Sequence, residues 1–214
     1  MPLVDSTYRA PRWLPGGQLQ TIWPARLVPL PPVSYRRERW PTPDGDFIDV
    51  DFALPQPAEA GAPLLALFHG LEGDSGSHYA RATMRHFADL GWRAMVVHFR
   101  GCSGEPNLML RAYHSGDSEE GDWVLRTIRQ RWPIARLHAV GVSLGGNMLA
   151  KWLGERGEDA GFVTARRSEL PIDAEPRADV VEAVVAFAVE IQDHRLFLKI
   201  RDQDALRHLY AIRK

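Results

Sequence analysis

The sequence predicts an α/β fold in which a mostly parallel sheet carries helices on both faces. Three observations support this prediction. From residue 64 onward, short apolar runs alternate with longer segments whose apolar residues recur at helical spacing. These runs have the composition of strands buried on both faces, which is typical of parallel sheets. A Gly-Val-Ser-Leu-Gly pentapeptide at residues 141–145 joins one such run to the helical segment that follows it.

The composition fits a globular domain with a sizeable core. The chain has 214 residues, of which 45% are hydrophobic and 25% charged. Its formal net charge of −1 gives no reason to expect nucleic acid or an anionic membrane as a partner. The single cysteine, Cys102, favours a reducing compartment, so we expect a cytoplasmic protein. The N-terminus lacks a signal-peptide pattern, and no apolar run approaches the ~20 residues of an integral membrane segment.

The first two parts of the chain are a leader and the hairpin that opens the core. Residues 1–32 are rich in proline and tryptophan, which predicts an irregular segment with one short helix near residues 18–23. Residues 33–40 and 47–54 alternate between apolar and polar side chains. The turn sequence Pro43-Asp44-Gly45-Asp46 between them predicts an antiparallel hairpin.

The core, residues 33–160, continues with alternating strands and helices. Strands are predicted at 64–68, 94–99 and 137–142, and helices at 79–90, 117–132 and 144–155. The acidic residues near 117–122 are expected to interact with the dipole of the helix that they begin. Residues 161–214 form a divergent tail. Within it, 178–191 fits either a sixth strand or a helix, and 201–214 fits a helix.

Glycine-rich turns follow two of the predicted strands, where ligands gather in such sheets. The first turn, residues 69–73, offers the backbone N–H of Leu71 as a donor to an oxyanion. His69 in that turn either supports the loop or acts directly in catalysis, and the sequence favours support. Cys102, in the second turn, is either a reactive thiol or an inert one, and the sequence favours the inert alternative.

The pentapeptide at 141–145 has the pattern of a nucleophile elbow, a sharp turn from a strand into a helix that exposes a serine. Ser143 is therefore the candidate nucleophile. Gly141 and Gly145 flank it because side chains there would clash across the turn. The N–H of Leu144 would point at the oxyanion that forms during attack by the serine.

Several separated blocks resemble one branch of a known family. They comprise Pro11-Arg12-Trp13-Leu14 with Leu19-Gln20-Thr21, His69–Gly73, Gly91-Trp92-Arg93, Phe99–Asp117 and Gly141–Asn147. Together they resemble the YheT-like branch of the α/β-hydrolases, also called AB hydrolase family 4, which includes the ABHD1/2/3-type proteins. The resemblance covers about residues 8–160.

This resemblance implies the α/β-hydrolase fold and a serine carboxylic-ester hydrolase with a Ser–Asp–His triad, acting on small or lipid-like esters. No metal ion and no organic cofactor is expected. Ser143 matches the nucleophile of the family, and Leu71 and Leu144 match its oxyanion-hole positions.

The tail departs from the family pattern after about residue 160, as a truncated or frame-shifted gene or a shortened variant would. In this fold the acid and then the histidine follow the serine along the chain. Asp193 and His208 are the candidates for a substitute pair, but the sequence favours the alternative that both are surface residues, which predicts low or absent esterase activity. The function is therefore either ester hydrolysis or that of a non-catalytic remnant, such as a pseudoenzyme, an interaction module or a gene fragment. A sheet edge left uncovered by the tail predicts self-association.

Overall fold

The structure is a computed structural model that describes residues 11–27, 29–160, 164–165 and 182–186. The helices in this part are α1 (Gly17–Arg26), α2 (His78–Asp89), α3 (Ser118–Arg131) and α4 (Leu144–Arg156). The strands are β1 (Tyr35–Pro41), β2 (Phe47–Ala53), β3 (Leu64–Phe68), β4 (Arg93–Val97), β5 (Leu137–Val142), β6 (Thr164–Ala165) and β7 (Glu182–Ala186). A 3₁₀ turn, Gly157–Ala160, follows α4.

These strands form one mixed sheet in the order β1-β2-β4-β3-β5-β7-β6. The hairpin β1–β2 is antiparallel, β2 is antiparallel to β4, and the other pairs are parallel. The predicted α/β-hydrolase fold, with its parallel core and N-terminal hairpin, is confirmed. Because Phe68 pairs with both Val97 and Gly141, the carboxyl ends of β3, β4 and β5 are level.

The core forms two layers, one on each side of the sheet. Leu64, Ala66 and Phe68 of β3 face the layer that contains buried residues of α3 and α4. Leu65 and Leu67, the intervening residues of the same strand, face the layer that contains buried residues of α2. This alternation follows from the two-residue period of a strand, and it explains why the run at 64–68 is wholly apolar.

The tail contributes a strand to the sheet. β7 lies within the segment 178–191, for which a strand and a helix were both considered, and it pairs in parallel with β5. Residues Glu182–Ala186 of this segment form a strand, as the first of the two alternatives has it. β7 covers the edge of β5, and β6 is the outermost strand on this side of the sheet among the described residues. The helix predicted at 201–214 lies outside the described residues. In the described part of the chain, no helix has both the length and the apolar character needed to span a bilayer.

Candidate active site

Ser143 occupies the turn between β5 and α4. Its backbone has φ 51 and ψ −110, a combination that costs a residue with a side chain on the order of 1–3 kcal/mol. The residue is exposed, and its hydroxyl makes no capping hydrogen bond to α4. The carbonyl of Ser143 accepts the first-turn hydrogen bond from Asn147 N–H at 2.9 Å. The turn thus presents Ser143 in a strained backbone conformation, with a hydroxyl that has no hydrogen-bond partner among the described residues.

Two glycines allow the chain to fold this tightly. A methyl group at Gly141 would lie within 3.0 Å of the Gly145 carbonyl and of the Gly146 nitrogen. A methyl group at Gly145 would lie within 3.0 Å of the backbone of Phe68 and of the His69 carbonyl oxygen. The Gly145 N–H donates to that same carbonyl at 3.2 Å, which joins the start of α4 to the end of β3.

The loop 69–73 is brought against the elbow by this contact. A Cβ built on Gly70 would lie 3.4 Å from the Ser143 Cβ, in ordinary van der Waals contact. Leu71 follows, with a side chain that is 70% exposed. Within the described residues, neither the Leu71 N–H nor the Leu144 N–H has a protein acceptor. The structure therefore places the loop that carries Leu71 beside the turn that carries Ser143 and Leu144, the three positions singled out from the sequence.

His69 is fully buried, and both of its ring nitrogens have partners. Nδ1 lies 2.7 Å from the Gly70 carbonyl oxygen, and Nε2 accepts the Phe99 N–H at 3.0 Å. This pattern fixes the neutral tautomer with the proton on Nδ1. Burial lowers the pKa of His69 to about 4, so it stays neutral near pH 7. The supporting role favoured by the sequence agrees with these contacts, which leave no nitrogen for the serine.

Cys102 lies partly buried in the turn after β4. Burial raises the pKa of its thiol, and the Tyr113 hydroxyl forms a hydrogen bond with it that acts in the opposite direction. A thiol with a raised pKa is mostly protonated near pH 7 and reacts slowly. The environment fits the inert alternative.

A buried cluster around Asp51 was not found from the sequence. Asp51 accepts two hydrogen bonds from Arg37, one from Ser75 Oγ at 2.6 Å and one from His98 Nε2 at 2.9 Å. Burial alone would raise the pKa of Asp51, but these donors hold it well below its usual range. The residue types are those of a catalytic triad, but Ser75 donates to the carboxylate and not to the imidazole. The cluster therefore stabilises the fold and does not activate Ser75.

The acidic residues at the start of α3 have more specific partners than the helix dipole. Asp117 caps the helix by accepting the Glu120 N–H. Glu120 is buried and ion-paired with Arg100. Asp122 accepts the Trp152 indole N–H at 2.9 Å, which ties α3 to α4. The dipole interpretation from the sequence is thus incomplete, because two of these carboxylates hold tertiary contacts.

No histidine in the described part of the chain is hydrogen-bonded to Ser143. Asp193 and His208 lie outside the described residues. Among the described side chains, no group of three or more His, Cys, Asp or Glu residues is placed to hold a metal ion.

The sheet order and the strand-to-helix elbow define the class of protein: an α/β-hydrolase. A family model described as the alpha/beta hydrolase fold matches residues 63–160.

Comparisons with curated proteins narrow the class. YheT of Escherichia coli (strain K12), named provisionally as an esterase, is 44% identical over 160 residues, which cover 73% of this chain and 43% of that protein. Phospholipase ABHD3 of Homo sapiens is 31% identical over 169 residues, 77% of this chain and 41% of that protein. Medium-chain fatty acid ethyl ester synthase/esterase 2 of Saccharomyces cerevisiae is 34% identical over 112 residues, 50% of this chain and 24% of that protein.

The matched part of the chain belongs to the YheT-like branch of the α/β-hydrolase family, which also contains ABHD3. The matches span less than half the length of these curated relatives.

Proposed function

We propose that this chain is a serine carboxylic-ester hydrolase that acts on small or lipid-like esters. One observation carries the proposal: Ser143 stands exposed in a strained elbow beside a loop whose Leu71 N–H has no acceptor among the described residues. A strained conformation of this kind persists where the surrounding structure enforces it, and such positions cluster at functional sites.

Each residue has a distinct role in the proposed reaction. Ser143 Oγ attacks the ester carbonyl carbon while a base removes its proton. The carbonyl oxygen becomes an oxyanion that the Leu71 and Leu144 N–H groups stabilise, the second with the added partial charge of the α4 N-terminus. The alcohol leaves with the proton, and water then releases the acid from the acylated serine. No metal ion and no organic cofactor takes part in these steps.

The base and its acid partner are proposed to be His208 and Asp193, the order of residues that the fold uses after the serine. His69 does not fit the role of base, because both of its ring nitrogens have partners. The alternative is a non-catalytic relative, such as a pseudoenzyme or an interaction module. The specific observation in its favour is that no histidine in the described part of the chain contacts Ser143.

The substrate class is proposed from the relatives. ABHD3 is named as a phospholipase, and the yeast relative is named for fatty acid ethyl esters. Esters with one apolar acyl chain are the chemistry common to these names. We further propose a cytoplasmic location, because the sequence has a single cysteine, and self-association through the outer sheet edge at β6.

Hydrolysis of p-nitrophenyl acetate and butyrate tests the function. The wild-type chain is expected to turn over both esters, and Ser143→Ala to reduce kcat by about 10⁴- to 10⁶-fold. His208→Gln and Asp193→Asn should show losses approaching that of Ser143→Ala, whereas His194→Gln serves as the matched control and should keep its rate. Equal rates for the wild type and Ser143→Ala would establish the non-catalytic alternative.

A further inference from the structure

Three of the five backbone N–H groups of the loop 69–73 donate hydrogen bonds to named acceptors. The Gly70 N–H donates to the Tyr79 hydroxyl oxygen at 3.0 Å, and the Glu72 N–H donates to the Tyr113 hydroxyl oxygen at 3.1 Å. The Gly73 N–H donates to the Gly70 carbonyl oxygen at 3.0 Å. The Leu71 N–H lies between the two engaged groups and has no acceptor in the described part of the chain.

We propose that Tyr79 and Tyr113 are positioning residues of the oxyanion hole. Their hydroxyl oxygens hold the Gly70 and Glu72 N–H groups on either side of Leu71, so that the Leu71 N–H keeps a fixed direction in the loop that contacts the Ser143 turn. The inference rests on the proposed ester hydrolysis, because the oxyanion that Leu71 would stabilise forms in that reaction.

The two tyrosines reach the loop from separate parts of the fold. Tyr79 lies in the first turn of α2, and a methyl group on Gly73 would come within 3.0 Å of its hydroxyl oxygen. Tyr113 lies between β4 and α3, where its ring stacks on Phe99 with centroids 5.4 Å apart and planes 12° apart. Both rings are half-buried, so each hydroxyl is held by its own surroundings and not by the loop.

The backbone at Glu72 shows why support is needed at this point. Glu72 has φ 52, a left-handed conformation that a residue with a side chain rarely adopts. The Glu72 side chain is exposed, so packing of that side chain does not hold the residue in this conformation. The hydrogen bond from its N–H to Tyr113 lies at this strained peptide and opposes its relaxation. Without it, the Glu72 and Leu71 peptides could rotate, and the Leu71 N–H would lose its fixed direction.

Phenylalanine substitutions isolate the hydroxyl groups. Tyr79→Phe and Tyr113→Phe keep the rings and remove the hydroxyl groups, which at Tyr113 also removes the hydrogen bond with Cys102. Tyr35→Phe is the matched control, because the Tyr35 hydroxyl donates to the Ser75 carbonyl at 3.0 Å, beyond the loop. All three variants should fold alike, as judged by their thermal midpoints.

Amide hydrogen exchange, followed by NMR, measures directly how firmly the two tyrosines hold the loop amides. We expect the Gly70 amide to exchange about five- to ten-fold faster in Tyr79→Phe, and the Glu72 amide to do so in Tyr113→Phe, the effect of losing one hydrogen bond. The Gly73 amide should exchange faster in both variants. Tyr35→Phe should leave all three amides at the wild-type rate.

Steady-state hydrolysis of p-nitrophenyl butyrate measures the effect of this support on catalysis. Removal of an oxyanion-hole donor typically costs about 10²- to 10³-fold in kcat, which sets the upper limit for the double variant Tyr79→Phe/Tyr113→Phe. Each single variant should lose about ten-fold in kcat with KM within two-fold, because a hole that binds only the transition state affects kcat alone. Tyr35→Phe should keep both parameters.

The outcomes separate this inference from the proposed function. Wild-type exchange rates in both tyrosine variants would overturn the inference whether or not the chain hydrolyses esters. Faster exchange with an unchanged kcat in an active enzyme would also overturn it. If the wild type shows no Ser143-dependent turnover, the proposed function fails, and faster exchange in the two variants would still support the fixed direction of the Leu71 N–H.

Discussion

A methyl group at Gly145 should destabilise the elbow and the strand junction beneath it. The added Cβ would lie within 3.0 Å of three backbone atoms, Phe68 O, Phe68 C and His69 O, none of which can rotate aside as a flexible side chain would. Overpacking of this kind costs about 1–3 kcal/mol, and loss of the hydrogen bond from Gly145 N–H to His69 O costs about 1 kcal/mol more. Gly145→Ala should therefore lower the free energy of unfolding by about 2–4 kcal/mol, or the thermal midpoint by about 5–15 °C.

Gly154 supplies the matched control because it lies in the same helix, α4. A Cβ built there meets no atom within 4 Å, and the residue is exposed. Alanine is the better helix former, so Gly154→Ala should raise the free energy of unfolding by about 0.5–1 kcal/mol. Urea and thermal denaturation of the two variants, followed by circular dichroism, should thus give shifts of opposite sign. A Gly145→Ala variant as stable as Gly154→Ala would refute the close-approach argument.

Three further predictions concern buried charge, acid stability and strain. Arg100→Met should lower the free energy of unfolding by about 3–5 kcal/mol, because Asp46 and Glu120 would lose a buried partner. Arg85→Met, the control at an exposed ion pair, should lower it by less than about 1 kcal/mol. Similar losses for the two variants in urea unfolding would contradict this prediction. Burial opposes ionisation of Asp46, but the hydrogen bonds it accepts lower its pKa to about 2, below its unfolded value near 4. The stability that ionised Asp46 contributes is therefore present above about pH 4 and is lost as the pH falls through about 2. The difference in unfolding free energy between the wild type and Asp46→Asn should narrow over that range. A difference that stays constant would disprove the lowered pKa of Asp46. Ser143→Gly should raise the thermal midpoint by about 2–4 °C through relief of its positive φ, and a lower midpoint would mean that the turn is not strained.

The parts of the fold that depend on local composition were predictable from the sequence. β3 and β5 have the predicted bounds, since a short, mainly apolar run that leads into a glycine-rich turn admits few alternatives. β4 ends at Val97, two residues before the predicted end, because His98 and Phe99 donate their N–H groups to Asp49 and to the His69 ring. Such long-range contacts leave no mark in the local pattern.

The burial of the carboxylates in β2 was not predicted from the alternation of apolar and polar residues. Its alternating sequence suggests one exposed face, but all seven residues are buried. The reason is that Arg37 and Arg39 of β1 lie opposite Asp51 and Asp49 in the hairpin register and pair with them. The turn at residues 43–46 fixes that register, so this pairing could have been found from the sequence.

In the candidate site too, residues with a local sequence signature were predicted and residues that act through tertiary packing were not. Ser143, Leu144 and Leu71 were placed from motifs, because an elbow and a glycine-rich loop have short, local signatures. Tyr79 and Tyr113 were missed, since each meets the loop only through tertiary packing, Tyr79 from a helix nine residues along the chain and Tyr113 from a segment 41 residues along it. No single-sequence pattern marks a tyrosine whose hydroxyl accepts a backbone N–H from a segment 41 residues away.

The order of the strands has a consequence for where a cleft can form. After β3, the chain adds β4 on one side through α2, and it then returns across β3 to add β5 on the other side through α3. These two connections cover opposite faces of the sheet, and in open α/β sheets the point where such connections diverge is where a crevice forms at the carboxyl ends of the strands. Its position is thus a property of the path of the chain, and exchange of the surrounding loops would alter which molecule enters the crevice without moving it.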